Sequence, residues 1–372
     1  MGLTDAAGIP FGHGAGIPDR DETITRVRNA ADSILTWNYE RERDQLVTLY
    51  DKGVSSQWNG VTDLDWSIDV DPEALVRRQS SPTDAIVRAA AAEPGSPIAS
   101  WGEREFTALA IEMLTASLSQ FMHGEQGAML TAAKLVETVP WIDAKYYAAT
   151  QTMDEARHTE VFARYVDTKL VDAYPMSPYL EGQITALLED SRWDIAYLGM
   201  QIVIESLALA AFGDMLRRID EPLLHQLLRY VLADEARHVA FGVLSLQELY
   251  RELTDAELKE RQEFLVDATL SSRARATTPE VWERMGVDVD EVRPYLRAAA
   301  AKVGMPQGTV LQGFYTKLVP NVRKLGLLDA NDGYLRERWG EVGLLQFEFA
   351  DDTGSDYDSY DAVARDRGAA RA

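Results

Sequence analysis

Asp154-Glu155-Ala156-Arg157-His158 occurs twice in this chain, returning unchanged as Asp234-Glu235-Ala236-Arg237-His238. Each copy sets a Glu and a His three positions apart. On a helix, residues i and i+3 share a face, so a carboxylate and an imidazole can reach one metal ion together. A lone Glu-x-x-His is most often a surface pair or an ordinary hydrogen bond. The repeat therefore has to be weighed with its surroundings.

Those surroundings read as four long helices from Ser100 to about Leu253. The first is expected over about Trp101 to Glu137, where Thr138-Val139-Pro140 ends it, because proline cannot continue a helix interior. The second runs from about Trp141 to Val171, and a connection with two prolines follows at Asp172 to Pro178. The third spans about Glu189 to Ile219 after a short helical lead-in. Asp220-Glu221-Pro222 turns the chain into the fourth, from about Leu223 to Glu252. Apolar residues such as Leu198, Ile202, Leu209 and Phe212 recur at three- and four-residue intervals, the period of a helix with one buried face.

Antiparallel helices present residues at equal height when those residues are equally far from the turn. Glu155 stands fifteen residues after Pro140, and fifteen before it stands Glu125. Glu235 stands fifteen residues after Asp220, and fifteen before it stands Glu205. Both partners are Glu and both lie in apolar helix interiors. At 1.5 Å per residue the site sits about 22 Å along the helices from each turn, a core position. Four carboxylates there are costly to bury without counter-charge. Two divalent cations offset four negative charges, and imidazoles bind them neutral. Oxygen and imidazole donors favour iron or manganese over a thiolate-selected metal, with zinc chemically allowed.

Composition narrows the rest. With 46% apolar residues in 372, the chain can bury one large core. It has no cysteine, hence no disulfide, no thiolate nucleophile and no cysteine-ligated cluster; electrons, if needed, come from another protein. A net charge of −23 argues against general nucleic-acid binding and reads mainly as a solubility surface. No uninterrupted apolar run of about 18 residues marks a membrane span, and Met1-Gly2-Leu3-Thr4-Asp5 does not open a signal peptide, so a cytoplasmic protein is expected.

No stretch alternates as a β-sheet does, and the expected class is all-α. Residues 1–99 read as an N-terminal arm and flanking helices: a Gly- and Pro-rich arm over 1–20, a helix from Asp21 to about Leu49, an ordered loop around Trp66 and a helix near Pro72–Arg78. Residues 100–252 form the bundle and 253–350 C-terminal helices packed on it. These are expected from a Thr254 cap to about Ala274, near 279–302 and near 306–326. The acidic 351–372 tail is expected to be disordered.

The residues Glu125, Glu155, His158, Glu205, Glu235 and His238 resemble the ligand set of the ferritin-like di-iron carboxylate proteins. In those proteins two helices each give a Glu, and two others each give a Glu-x-x-His. The match covers about 100–252. The resemblance implies a ferritin-like four-helix bundle with additional flanking helices and two iron ions, or a manganese–iron pair. It further implies O₂ as co-substrate, with Glu125 and Glu205 catalytic alongside the metals. Asp154 is expected toward His238 and Asp234 toward His158, with Arg157 and Arg237 neutralising the aspartates. The radical tyrosine that ribonucleotide reductase small subunits keep one turn after the first ligand His is replaced by Phe162, and their common first Asp ligand by Glu125. Val231 stands where arylamine N-oxygenases carry an extra His, and Leu209 where monooxygenase hydroxylases often carry a Thr.

The implied function is a di-iron oxygenase that hydroxylates, N-oxygenates or desaturates a small organic substrate. A ferredoxin or flavin reductase would serve as separate electron donor, and a homodimer is within expectation. The alternatives are a ferroxidase, an R2-like oxidase or other iron-handling protein, and a metal-free helical scaffold or partner subunit. Gln151 and Gln201 each stand one turn before a ligand Glu, as buried polar groups that bond ligands, substrate or an adjacent helix. Leu118, Phe121, Met122, Phe162, Leu198, Ile202, Leu209 and Phe241 are the candidate pocket lining. His13, His123 and His225 are assigned to no metal.

Overall fold

The structure is a computed structural model that describes residues 24–78, 82–170, 172–271, 278–303 and 310–350. Among these no strand occurs, and the chain is all-α. The arm expected over 1–20 and the tail expected from 351 lie outside the described residues.

Four long elements form the bundle. Helix α4 (Glu103–Thr138) ends before Pro140, and α5 (Ile142–Lys169) returns beside it. Helix α6 (Pro178–Glu189) is the lead-in, with the Ser177 side chain capping its start. The third arm is not one continuous α-helix. Helix α7 (Trp193–Tyr197) passes into a π-helical segment, Leu198–Ile204, and then into α8 (Glu205–Arg218). Helix α9 (Pro222–Leu249) starts on Pro222, with the Glu221 carboxylate accepting from the free Leu223 and Leu224 N–H groups.

The stretch Trp193–Arg218 is long and apolar enough to cross a membrane by length and composition, yet 78% of its most apolar window is buried inside the protein. It is a core helix of the bundle, apolar because neighbours cover most of its surface.

The helix expected from Asp21 to Leu49 is corrected. Residues 24–43 have no regular structure, and the helix is α1 (Asp44–Ser55). The preceding strand of chain is tied across the bundle end instead: Ala30 N–H donates to the Leu188 carbonyl, Ile34 N–H to Glu137, and the Thr36 hydroxyl to Pro140. Arg41 and the Arg43 N–H reach the Asp143 carboxylate. These bonds satisfy backbone groups that a helix would otherwise pair internally. Of the apolar residues in this stretch, Ile24 is 63% and Leu35 77% exposed, and Val27 and Ala31 are half-buried.

Helices α2 (Pro72–Arg78) and α3 (Pro82–Ala91) flank the bundle. At α10 (Asp255–Ser271), Thr254 and Glu257 exchange cap hydrogen bonds. The helix expected near 279–302 is two, α11 (Pro279–Arg284) and α12 (Val289–Val303), separated by Gly286 at φ 73°. Helix α13 (Val310–Lys324) is followed by α14 (Ala330–Glu341), which the sequence had not suggested and which opens on left-handed Asn331, Asp332 and Gly333.

Two apolar clusters fill the bundle along its length. One includes Leu135, Tyr147, Leu198 and Phe241; the other includes Leu118, Phe162, Phe212 and Val231. On each of the four arms a glutamate separates a member of one cluster from a member of the other. The polar layer between the clusters is the candidate site.

Candidate metal centre

Glu125 comes from α4, Glu155 and His158 from α5, Glu205 from the first residue of α8, and Glu235 and His238 from α9. All six are buried, Glu125 being the most exposed at 5%. Their donor atoms form two groups that could each hold a metal ion: Glu125, Glu155, His158 and Glu235; and Glu155, Glu205, Glu235 and His238. Glu155 and Glu235 belong to both. Glu125 with His158, and Glu205 with His238, each belong to one.

Within each group one histidine nitrogen faces three carboxylate oxygens. His158 Nδ1 lies 3.0 Å from Glu235 Oε1, 3.2 Å from Glu155 Oε2 and 3.4 Å from Glu125 Oε2. His238 Nδ1 lies 3.1 Å from both Glu155 Oε1 and Glu235 Oε2, and 3.9 Å from Glu205 Oε1. One ring nitrogen can give at most one proton, so it cannot bond three oxygens. Adjacent ligands on an octahedral ion with bonds of about 2.1 Å stand about 3.0 Å apart. Glu155 Oε2 and Glu235 Oε1, fully buried, have no hydrogen-bond partner. Such orphaned acceptors are rare in protein interiors, and metal ions between these groups would satisfy them. The residues therefore fit a pair of metal ions.

The arrangement resembles the one in which two helices of a bundle each give a Glu, and two others each give a Glu-x-x-His, to a di-metal site.

The side chains behind the ligands cross between α5 and α9. His158 Nε2 is 3.0 Å from Asp234 Oδ2, and His238 Nε2 is 3.4 Å from Asp154 Oδ2. The reciprocal pairing shows that the two repeats face one another antiparallel. Each aspartate is placed to accept an Nε2 proton, which leaves Nδ1 facing the carboxylates. Arg157 donates to Asp154 Oδ1 at 2.6 Å and to Asp234 Oδ2 at 2.9 Å, and Arg237 donates to Asp234 Oδ1.

Two further groups come from the loop after α1. Trp58 Nε1 donates to Asp234 Oδ2 at 2.8 Å, and Gln57 Nε2 to Asp154 Oδ1 at 2.8 Å. Sequence reading missed both. The Ser55-Ser56-Gln57-Trp58-Asn59-Gly60 stretch reads as a helix breaker, and nothing periodic ties it to a site about a hundred residues away. The one available cue was a Trp and a Gln in a loop otherwise made of small polar residues.

The electrostatics of the layer show its demand for positive charge. Burial, then repulsion from Glu235, pushes the Glu125 and Glu205 carboxyls well above the usual carboxylate range. Burial acts the same way on Glu155 and Glu235, but the two imidazoles outweigh it and hold both below their ordinary values. Burial disfavours the charged form of His158 and His238, yet the carboxylates around them raise both well above an ordinary histidine. Asp234 is held well below the usual range: its burial is outweighed by Arg237, His158 and Arg157.

Gln151 and Gln201 are both fully buried in the same layer. The proposed lining does not gather in one place. Leu118, Phe162 and Leu209, with Phe121 and Met122 against them, belong to the cluster on one side of the ligands. Leu198, Ile202 and Phe241 belong to the cluster on the other. On the first side Phe121, Phe162 and Phe212 pack as a trio with ring centroids 4.7–5.9 Å apart, Phe162 stacked on Phe212 and Phe121 edge-on to Phe212. His123 stands apart from the ligands, its Nε2 at 2.9 Å from the Tyr174 carbonyl oxygen.

No family model and no curated protein matches the chain. Solved structures similar to it include a glycine-to-leucine variant of an R2-like ligand-binding oxidase with an anaerobically reconstituted Mn/Fe cofactor, at 16% identity and a TM-score of 0.46, covering 78% of this chain and 95% of that one. A valine-to-isoleucine variant with an aerobically reconstituted Mn/Fe cofactor is 17% identical with a TM-score of 0.39, covering 85% and 96%. The oxidase after photoconversion is 17% identical with a TM-score of 0.41, covering 85% and 95%.

Proposed function

We propose that this chain is an O₂-dependent di-metal oxidoreductase that oxidises a small organic substrate by hydroxylation, N-oxygenation or desaturation. The observation that supports it most is the convergence of three carboxylate oxygens on each histidine Nδ1, with two of those oxygens otherwise unpartnered. In this reading Glu125 and His158 hold one ion, Glu205 and His238 hold the other, and Glu155 and Glu235 reach both. The oxygen-rich, thiolate-free donor set suits iron or a manganese–iron pair. Such a pair, when bound, supplies the electrons that reduce O₂ and the oxidising power turned on the substrate.

The chain's own residues do the rest. Asp154 and Asp234 keep each imidazole in one tautomer. Arg157 donates to both aspartates and Arg237 to Asp234, which fixes the carboxylates in place. The apolar clusters on either side keep bulk water from the layer, which strengthens every charge interaction in it. With no cysteine to build an electron-transfer cluster, the electrons come from a separate donor such as a ferredoxin or flavin reductase.

The test is an anaerobic loading with ferrous iron followed by mixing with O₂. O₂ consumption with a transient visible absorption is expected. A loaded protein inert toward O₂ would overturn the reading, and uptake of many irons per chain would replace it with iron storage.

A further inference from the structure

The two metal positions are not supported alike. Gln151 Nε2 donates to Glu155 Oε1 at 2.9 Å and to Glu205 Oε1 at 3.3 Å. Both oxygens lie on the His238 side, 3.1 and 3.9 Å from its Nδ1. The oxygens on the His158 side, Glu155 Oε2 and Glu235 Oε1, receive no hydrogen bond. The amide thus serves one position. On the His158 side the support comes through Asp234, which Trp58, Arg157 and Arg237 hold.

Chemistry fixes the direction of the amide chain. An ionised Glu155 carboxylate only accepts, so Gln151 must present its NH₂ to it. Its Oε1 is then left to accept, and Gln201 Nε2 donates there at 2.8 Å. Gln201 Oε1 ends the chain without a partner. Gln201 sits in the π-helical segment, and α9 presents Gly242 to it; a Cβ at Gly242 would stand 2.5 Å from Gln201 Cβ. The backbone is therefore arranged to let Gln201 sit behind Gln151.

We propose that Gln151, backed by Gln201, is a positioning residue chiefly for the Glu205–His238 metal position; this rests on the di-metal reading above. Gln151 orients the two oxygens of that position, and Gln201 orients Gln151.

The experiment titrates the metal-free full-length chain with Co(II), followed by visible absorption and calorimetry. Two binding steps are expected for the wild type. Glu205→Ala should abolish one step and Glu125→Ala the other, which assigns them. Gln151→Leu should weaken the step that Glu205→Ala removes, by about 10- to 100-fold, the usual effect of losing a group that orients a ligand. The other step, which shares Glu155, should weaken less. Gln201→Met should weaken the same step by less. The Gln151→Leu/Gln201→Met double variant should match Gln151→Leu alone, because groups acting in series are not additive. Equal weakening of both steps, no weakening of either, or additive losses would overturn the proposal. Should Gln151→Leu not fold, Gln201→Met decides, since it leaves the ligands and Gln151 in place. A wild type that takes up no Co(II) would instead remove the di-metal reading itself.

Discussion

Asp234 accepts from His158 Nε2, Trp58 Nε1, Arg157 and Arg237 at once. A buried carboxylate with this many donors stays ionised and holds its imidazole in one orientation. Trp58→Phe keeps an aromatic ring beside Tyr230, where the two now stack at 4.8 Å, and under the Arg157 guanidinium, while it removes the indole donor. Hydrogen bonds to charged groups are worth about 1.5–3 kcal/mol, so a loss of about 2 kcal/mol is expected in chemical denaturation. An unchanged midpoint would show that the arginines suffice. Protonation offers a second check at the same scale. Because His158 and His238 are raised well above an ordinary histidine and Glu125 and Glu205 well above an ordinary carboxylate, these groups keep protons to higher pH than ordinary ones, and metal ions compete with those protons. The sign follows: metal affinity falls as pH is lowered, and loading at pH 7 releases protons. Calorimetry in buffers of different ionisation enthalpy reads the release directly, and none would contradict the assignment.

The elements hold this layer through a few close approaches. Helix α6 packs where Gly127 of α4 and Gly199 of the π segment leave room: a Cβ at either would stand 2.3 Å from Ile184 or Leu187. Gly199→Ala should cost about 1–3 kcal/mol in thermal or chemical unfolding, as overpacking does. Lys134, 1% exposed, donates to the carbonyls of Leu187, Leu188 and Asp190 and so closes the C-terminus of α6. Lys134→Met takes this donor from the Leu187 and Asp190 carbonyls, while Leu188 keeps the Ala30 N–H, and about 2–3 kcal/mol of stability should be lost. A neutral result would mean that other donors reach them.

This is also the scale at which the sequence was and was not legible. Glu125 and Glu205 could be found by reflection because the residues between each glutamate and its turn are regular α-helix. The π segment escaped notice because it lies on the far side of Glu205, where it disturbs no spacing to Asp220, and because Leu198–Ile204 has no residue that forbids an ordinary helix. The stretch over 24–43 misled for the opposite reason. Its apolar residues have helical spacing, but long-range bonds to Leu188, Glu137 and Pro140 decide its conformation, and no local pattern encodes those. Gln57 and Trp58 reach the aspartates only once α1 is packed against α5 and α9.

For the whole molecule, the excess of acidic residues and the buried glutamates are separate matters. The net charge of −23 is spread over the chain and governs solubility. The four glutamates of the layer sit between two apolar clusters, where charge is expensive and cations are worth most. An ion present at about a thousand times its Kd adds about 4 kcal/mol of stability. The chelated, metal-free chain should therefore melt several degrees below the loaded one, and equal melting temperatures would speak against tight binding in the core.

The most direct test of two ions sharing Glu155 and Glu235 is the metal content of purified, ferrous-loaded protein measured on three chains. The wild type should hold two irons, Glu125→Ala should keep one, and Glu235→Ala, which removes a carboxylate from both positions, should lose both or nearly so. A wild type with one iron or none, or a Glu235→Ala chain that still holds two, would contradict it.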